Sequence, residues 1–142
     1  QGKRCVYVDG DQIVAAQGVW RESIPLRDIP LTRGGVIGFQ VENAMAAVAA
    51  AWGVGLDWDT IRRGVGSFAN DADNAPGRFN VMDYRGATVI ADYGHNGDAM
   101  RALVQAGANV NIADRNGQTP LALARSRGYK NMVQILEKAG AK

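Results

Sequence analysis

The sequence predicts an α+β fold, and three features predict it. The chain opens with β-rich runs joined across Asp9-Gly10-Asp11. An apolar stripe of helical period follows from Gly38. A second pair of β-rich runs, joined by Arg85-Gly86, then precedes a helical pattern that fills the remaining residues. The expected order is therefore a β-hairpin region, a helix pair, a second hairpin and an all-α tail.

Taken in order, Cys5-Val6-Tyr7-Val8 and Gln12-Ile13-Val14-Ala15-Ala16 are the first two strands, because Asp-Gly between such runs is a strong hairpin signal. Residues 20–26 extend the sheet only as edge strand or loop, since Pro25 and Pro30 lack the N–H that a central strand needs. Val41, Ala44, Met45, Val48 and Trp52 then follow i, i+3, i+4, i+7 and i+11, and Gly53 and Gly55 stop that helix. Asn43 falls about 200° from Val41 around the helix, off the apolar stripe and open to a ligand. Asp57 is the N-cap of a second helix, with Asp59 near its positive end and Ile61, Val65 and Phe68 on one face. After the turn-rich residues 70–77, residues 79–84 and Ala87-Thr88-Val89-Ile90-Ala91 form the second hairpin. The latter run is almost wholly apolar, the pattern of a strand covered on both faces. Asp92 then stands at a strand's carboxyl end, where open α/β sheets bind ligands, and Arg78 lies just before the hairpin and reaches back toward the same crevice.

At 142 residues the chain is long enough for a respectable core, burying roughly 70% of its unfolded surface if it forms one domain. Sixteen basic and 14 acidic residues leave a net charge of +2 with no run of like charge, so neither a nucleic-acid surface nor an anionic-membrane surface is expected. No apolar run reaches 18 residues, and the alanine-rich residues 44–52 are too few to span a bilayer. The single cysteine, Cys5, excludes an internal disulfide framework, which fits a reducing, cytoplasmic compartment; it reads as a buried strand residue. Gln1-Gly2-Lys3-Arg4 carries neither an initiator Met nor a signal-peptide apolar region, so a fragment is expected.

Three stretches together carry a resemblance. Gly38-Phe39-Gln40-Val41-Glu42-Asn43-Ala44-Met45-Ala46-Ala47, Ala75-Pro76-Gly77-Arg78-Phe79 and Ala91-Asp92-Tyr93-Gly94-His95-Asn96 stand in the order and spacing of the Mur ligase-like family, around the junction of its central ATPase and C-terminal domains. Residues 1–96 most resemble the cyanophycin synthetase branch. The resemblance implies an ATP-dependent amide ligase that activates a carboxylate as an acyl phosphate and couples it to an amine. By motif position, Asn43 would contact the adenine, Arg78 the phosphates or ribose, Asp92 the ribose hydroxyls, and His95 would pack beside the base. The residue types suit those roles: a carboxylate accepts two hydroxyl protons, an amide satisfies a donor and an acceptor on a base edge, and a guanidinium pairs with phosphate.

The family's phosphate loop, with its Lys and Ser/Thr, and its acidic and modified-lysine magnesium ligands are absent from these residues. Nor does the sequence hold a metal-spaced His/Cys/Asp/Glu cluster or a nucleophile with a base and an orienting partner. Catalysis by this chain alone is not expected, ATP binding is expected to be weak or lost, and Mg would require the phosphate-loop domain.

Past Asn96 the pattern changes. The family continues Asn-Pro-Asp-Ala, whereas Gly97 stands here in place of Pro. Gly107-Ala108-Asn109-Val110-Asn111, Asp114-Arg115-Asn116-Gly117, Thr119-Pro120-Leu121-Ala122-Leu123-Ala124 and Gly128-Tyr129 through Leu136 resemble an ankyrin repeat, and Gly107-Ala108 recurs as Gly140-Ala141 after the 33-residue ankyrin period. Thr119 caps a helix with Pro120 in its first turn, Met132, Val133 and Leu136 form the inner stripe of the next, and Asn116-Gly117 makes the β-turn. Ala122 replaces the family's His in Thr-Pro-Leu-His, which places the usual turn-tying hydrogen bond in doubt. Residues 97–106 read as the second helix of a preceding repeat, giving about one and a half repeats where at least three normally stack stably. The expected organisation is a partial ligase-like segment, 1–96, joined to an ankyrin segment, 97–142, as a chimera whose seam lies near Asn96-Gly97. Asp98-Ala99-Met100-Arg101-Ala102-Leu103-Val104 suits both families there. A protein partner would meet the ankyrin tip, residues 109–118.

Overall fold

The computed structural model describes residues 2–94 and 96–142, and it is α+β. The chain divides into two compact units, Gln1–Asn74 and Ala75–Lys142.

The first unit opens with an antiparallel sheet of order β1-β2-β3, comprising β1 (Arg4–Asp9), β2 (Gln12–Gln17) and β3 (Trp20–Pro25). Asp9 pairs with Gln12, so the first hairpin turn is Gly10-Asp11; Gly10 takes φ 60°, the left-handed first position that a primed two-residue turn reserves for Gly. β3 is an edge strand, and Pro25 occupies its last pair, opposite Gln12. Cys5 is exposed on edge strand β1, contrary to the burial expected of it: Ile13 and Ile24 of β2 and β3 carry the core, and Val6 is the β1 side chain packed against it.

Two 3-10 turns, Leu26–Asp28 and Pro30–Thr32, lead to α1 (Gly38–Gly53). Thr32, fully buried, organises this connection. Its hydroxyl lies 2.9 Å from the Leu26 carbonyl and 3.0 Å from that of Ile29, and accepts from the Gly35 N–H at 3.2 Å. Along α1, Val41, Ala44 and Val48 are buried and Met45 and Trp52 half-buried, so the stripe read from the sequence is the face that meets the sheet. α1 ends in a Schellman motif: Leu56 N–H bonds the Ala51 carbonyl, Gly55 N–H bonds that of Trp52, and Gly55 adopts φ 91°, where a Cβ would be strained.

Asp57 caps α2 (Trp58–Ser67) by accepting from Thr60 N–H at 2.9 Å, and Ile61 enters the core. Phe68 falls past the last turn and stays 43% exposed, so the inner face of α2 is shorter than its apolar spacing implies. At the other end of the sheet the rings of Trp20 and Trp52 lie 5.1 Å apart, Trp58 meets Trp20 edge-on at 5.9 Å, and the Arg4 guanidinium covers Trp52 at 4.7 Å while donating to its carbonyl. These ring contacts fasten both helices to the sheet.

The second unit comprises a two-stranded antiparallel sheet of β4 (Asn80–Tyr84) and β5 (Ala87–Ala91), followed by α3 (Gly97–Gln105), α4 (Pro120–Ser126) and α5 (Lys130–Lys138). Arg85 and Gly86 both take positive φ, the signature of a type I′ hairpin turn. β5 is not covered on both faces: Ala87, Thr88 and Val89 are exposed, and only Ile90 and Ala91 are half-buried. An apolar run fits a doubly buried strand, but burial depends on layers that strand composition does not encode. Leu121, Ala124, Met132 and Leu136 form a separate core between α4 and α5, with Met100 of α3 and Val110 packed against it. Replacing Thr32 with Val is expected to lower the stability of the first unit by about 1 kcal/mol through the lost hydroxyl bonds. A reduced urea midpoint at unchanged slope is the check.

Candidate functional site

The turn before β4 is built by one buried amide. Asn80, 1% exposed, accepts from Gly77 N–H at 2.8 Å and donates to the Ala75 carbonyl at 3.0 Å, closing residues 75–80 into a fixed loop. Within it Phe79 is buried yet adopts φ 58°, a left-handed conformation that costs a bulky side chain roughly 1–3 kcal/mol. Phe79 therefore precedes the strand instead of starting it. The Tyr93 N–H bonds the Gly77 carbonyl at 3.0 Å, tying the segment after β5 to the same loop. A Cβ at Gly77 would meet Tyr93 Cε2 at 2.7 Å, so only Gly lets this ring lie against the backbone.

This construction presents Arg78 and Asp92 together. Arg78 is exposed, with its guanidinium 5.7 Å from the centre of the Tyr93 ring, a cation–π distance. Asp92 is half-buried, and its Oδ1 accepts from Gly94 N–H. Both line a groove of about 910 Å³ within the second unit. Its remaining wall comes from the ankyrin-like segment: Met100 and Leu103 of α3, Ile112 and Asp114 of the following loop, and Leu123 of α4. Asp92 thus stands at the open end of an antiparallel hairpin, not in the crevice of an open α/β sheet. Tyr93 and Asn80 were not singled out from sequence; the Asn that follows Arg78-Phe79 in a Pro-Gly turn was the available signal for the second.

Asn43 belongs to the first unit. It is exposed on α1, opposite the apolar stripe, and donates to Gln40 Oε1 at 3.0 Å. His95 lies outside the described residues. The first unit also holds a cleft of about 480 Å³ between α1 and α2, lined by Ile29, Ala44, Leu56, Ile61 and Phe68 among others, with Thr60 its single polar side chain and no group suited to chemistry.

The helical segment carries its own punctuation. Thr119 Oγ1 accepts from Ala122 N–H at 3.2 Å, and Asp114 Oδ1 accepts from the N–H groups of Asn116 and Gln118 at 2.8 and 2.9 Å. Those bonds, that of Gln118 foremost, hold the Asp114 carboxyl below its ordinary pKa of 3.8. The repeated Gly107-Ala108 and Gly140-Ala141 pairs are the Schellman ends of α3 and α5. In each, the Ala N–H bonds a carbonyl five residues back, of Leu103 and Leu136, with the Gly at φ 83° and 84°. Asn111 extends the tie across the repeat, donating to the Gly140 carbonyl at 3.3 Å and accepting from Lys142 N–H at 2.9 Å.

Residues 93–137 match the family described as ankyrin repeats (many copies). Against curated proteins, 103 residues, or 72% of the chain, are 41% identical to the cyanophycin synthetase of Synechocystis sp.. This chain is similar to cyanophycin synthetases. The corresponding protein of Geminocystis herdmanii is 38% identical over 67% of the chain, and the UDP-N-acetylmuramate-L-alanine ligase of Brucella ovis is 28% identical over 84%. The chain spans only 12%, 11% and 24% of the lengths of these three relatives. The resemblances read from the motifs to Mur-type ligases and to ankyrin repeats both stand. No helix among the described residues is long and apolar enough to cross a membrane.

Asn80→Ala is expected to destabilise the second unit by about 1–3 kcal/mol, because it removes the partner of the half-buried Gly77 N–H and Ala75 carbonyl; urea unfolding followed by tyrosine fluorescence measures it. For Asp114 the folded pKa is depressed, so its stabilisation is complete above 3.8 and is lost as pH falls through the lower folded value. Asp114→Asn should accordingly flatten the acid limb of a melting-temperature profile below about pH 4.

Proposed function

We propose that the chain is a nucleotide-binding fragment of an ATP-dependent amide ligase of the cyanophycin synthetase and Mur type, unable to catalyse ligation by itself. The observation that carries this reading is that Arg78 and Asp92, which share a motif order with those ligases, line one groove. Asp92 Oδ1 serves Gly94, leaving lone pairs on the second oxygen for the hydroxyls of a ribose; the Arg78 guanidinium suits a phosphate. By motif position the resemblance assigns the adenine to Asn43, which lies on the first unit, and a place beside it to His95, which lies outside the described residues. The phosphate loop and the magnesium ligands come from the remainder of a longer ligase, so Mg enters only with that domain and ATP binds weakly here. The ligase-like segment runs to about residue 96, where the ankyrin segment is joined to it in a chimera, and a cytoplasmic setting suits both.

A second reading has its own observation. Ile112, in the ankyrin tip at residues 109–118, is 64% exposed, an apolar side chain offered to solvent at the position where an interaction module meets a protein. If this is the main role, capture of a partner should be lost on changing Ile112 and Arg115, while magnesium-ATP leaves the protein unaffected. A chimeric scaffold without ligand would respond to neither test.

For the first reading, thermal unfolding with and without millimolar magnesium-ATP is the experiment, since a ligand that binds only the folded state raises its melting temperature. An upward shift of roughly 4–8 °C per kcal/mol of binding is expected for a unit of this size, and Asp92→Ala should remove it. A titration in which Asp92→Ala binds like the parent would sink the assignment.

A further inference from the structure

We infer that the ankyrin-like segment forms part of the nucleotide site itself, with the purine ring lying on its apolar side chains while Asp92 and Arg78 hold the sugar and phosphate end. This rests on the nucleotide reading above and adds the residues that would receive the base.

The groove joins two chemically different walls within one unit. One is contributed by Arg78, Asp92, Tyr93 and Gly94, and the other by α3, the loop after it and α4. They meet at Gly94, where an added Cβ would stand 3.8 Å from Met100 Cε. The carboxylate of Asp92, two residues before that contact, is thus near the beginning of the apolar wall. From there the wall continues through Leu103, Ile112 and Leu123. A volume of about 910 Å³ lies in the range of small-molecule sites, roughly 300–1,000 Å³, which are lined mostly by apolar groups with a few polar ones fixing orientation.

A purine nucleotide matches that division. It is flat and apolar on its ring faces, carries vicinal hydroxyls for one carboxylate, and ends in an anion for a guanidinium. Arg127, also in the lining, adds a second cation, and Asp114 a second carboxylate. Leu123 is 41% exposed and Ile112 64% exposed although both are large and apolar, so neither is committed to the helical core formed by Leu121, Ala124, Met132 and Leu136. Both are available to a ligand at little cost to the fold.

The test is calorimetric titration of AMP into the whole chain, its Asp92→Ala variant, Leu123→Glu and the volume-conserving Leu123→Met, with a melting curve for each. The expected result is that Leu123→Glu weakens AMP by at least about tenfold with an unchanged melting temperature while Leu123→Met retains it. If Leu123→Glu binds AMP as the parent does while Asp92→Ala does not, the ankyrin wall takes no part and this inference falls, with the nucleotide reading intact. If the parent binds neither AMP nor magnesium-ATP, both fall. Should Leu123→Glu lower the melting temperature, the same criterion passes to Ile112→Glu: a tenfold loss supports the inference, and parental affinity overturns it.

Discussion

The second unit depends on the amide of Asn80. Left without partners, a buried amide costs more than a hydrogen bond gains, so the Ala75 carbonyl and the Gly77 N–H are held to fixed positions around it. Those positions force Phe79 into a left-handed conformation, a local cost of the same order as the gain from the amide. They also set the Gly77 carbonyl where Tyr93 can bond it. Arg78 and Asp92 consequently face one groove although they lie on opposite arms of the hairpin. Their proximity follows from a residue that touches no solvent.

The two units solve the same problem with different means. In the first, a three-stranded sheet and two helices bury Ile13, Ile24, Ile29, Val48 and Ile61, and a tryptophan cluster closes the end of that layer. In the second, the helical core consists of Leu121, Ala124, Met132 and Leu136, with the hairpin presenting an exposed β5. Units of about 70 residues bury a smaller share of their surface than larger domains do, so single polar ties such as Thr32, Asn80 and Asn111 weigh more heavily in each.

Local signals were legible in the sequence and layered ones were not. The Asp57 and Thr119 caps, the α1 stripe, both hairpin turns and the Gly-Ala ends of α3 and α5 are each set by residues within a few positions of one another. The exposure of Cys5 and of β5 depended on what packs above a strand, which alternation alone does not carry. The division of contacts between Asn74 and Ala75 is likewise a matter of packing, since the second hairpin joins the helices while its motifs continue those of the first unit. Of the site, the motif positions named Arg78 and Asp92. The groove around them was invisible, because most of its wall comes from a segment resembling an unrelated family.

Asn96 gives that juncture a chemical meaning. Its side-chain oxygen accepts from the N–H groups of Asp98 and Ala99, at 3.1 and 2.8 Å, and so starts α3. The last residue of the ligase-like motif is thus also the first punctuation mark of the helical segment. At such a residue a helix can begin directly after a strand-end motif, because one side-chain oxygen satisfies two of the N–H groups that the first helical turn leaves open.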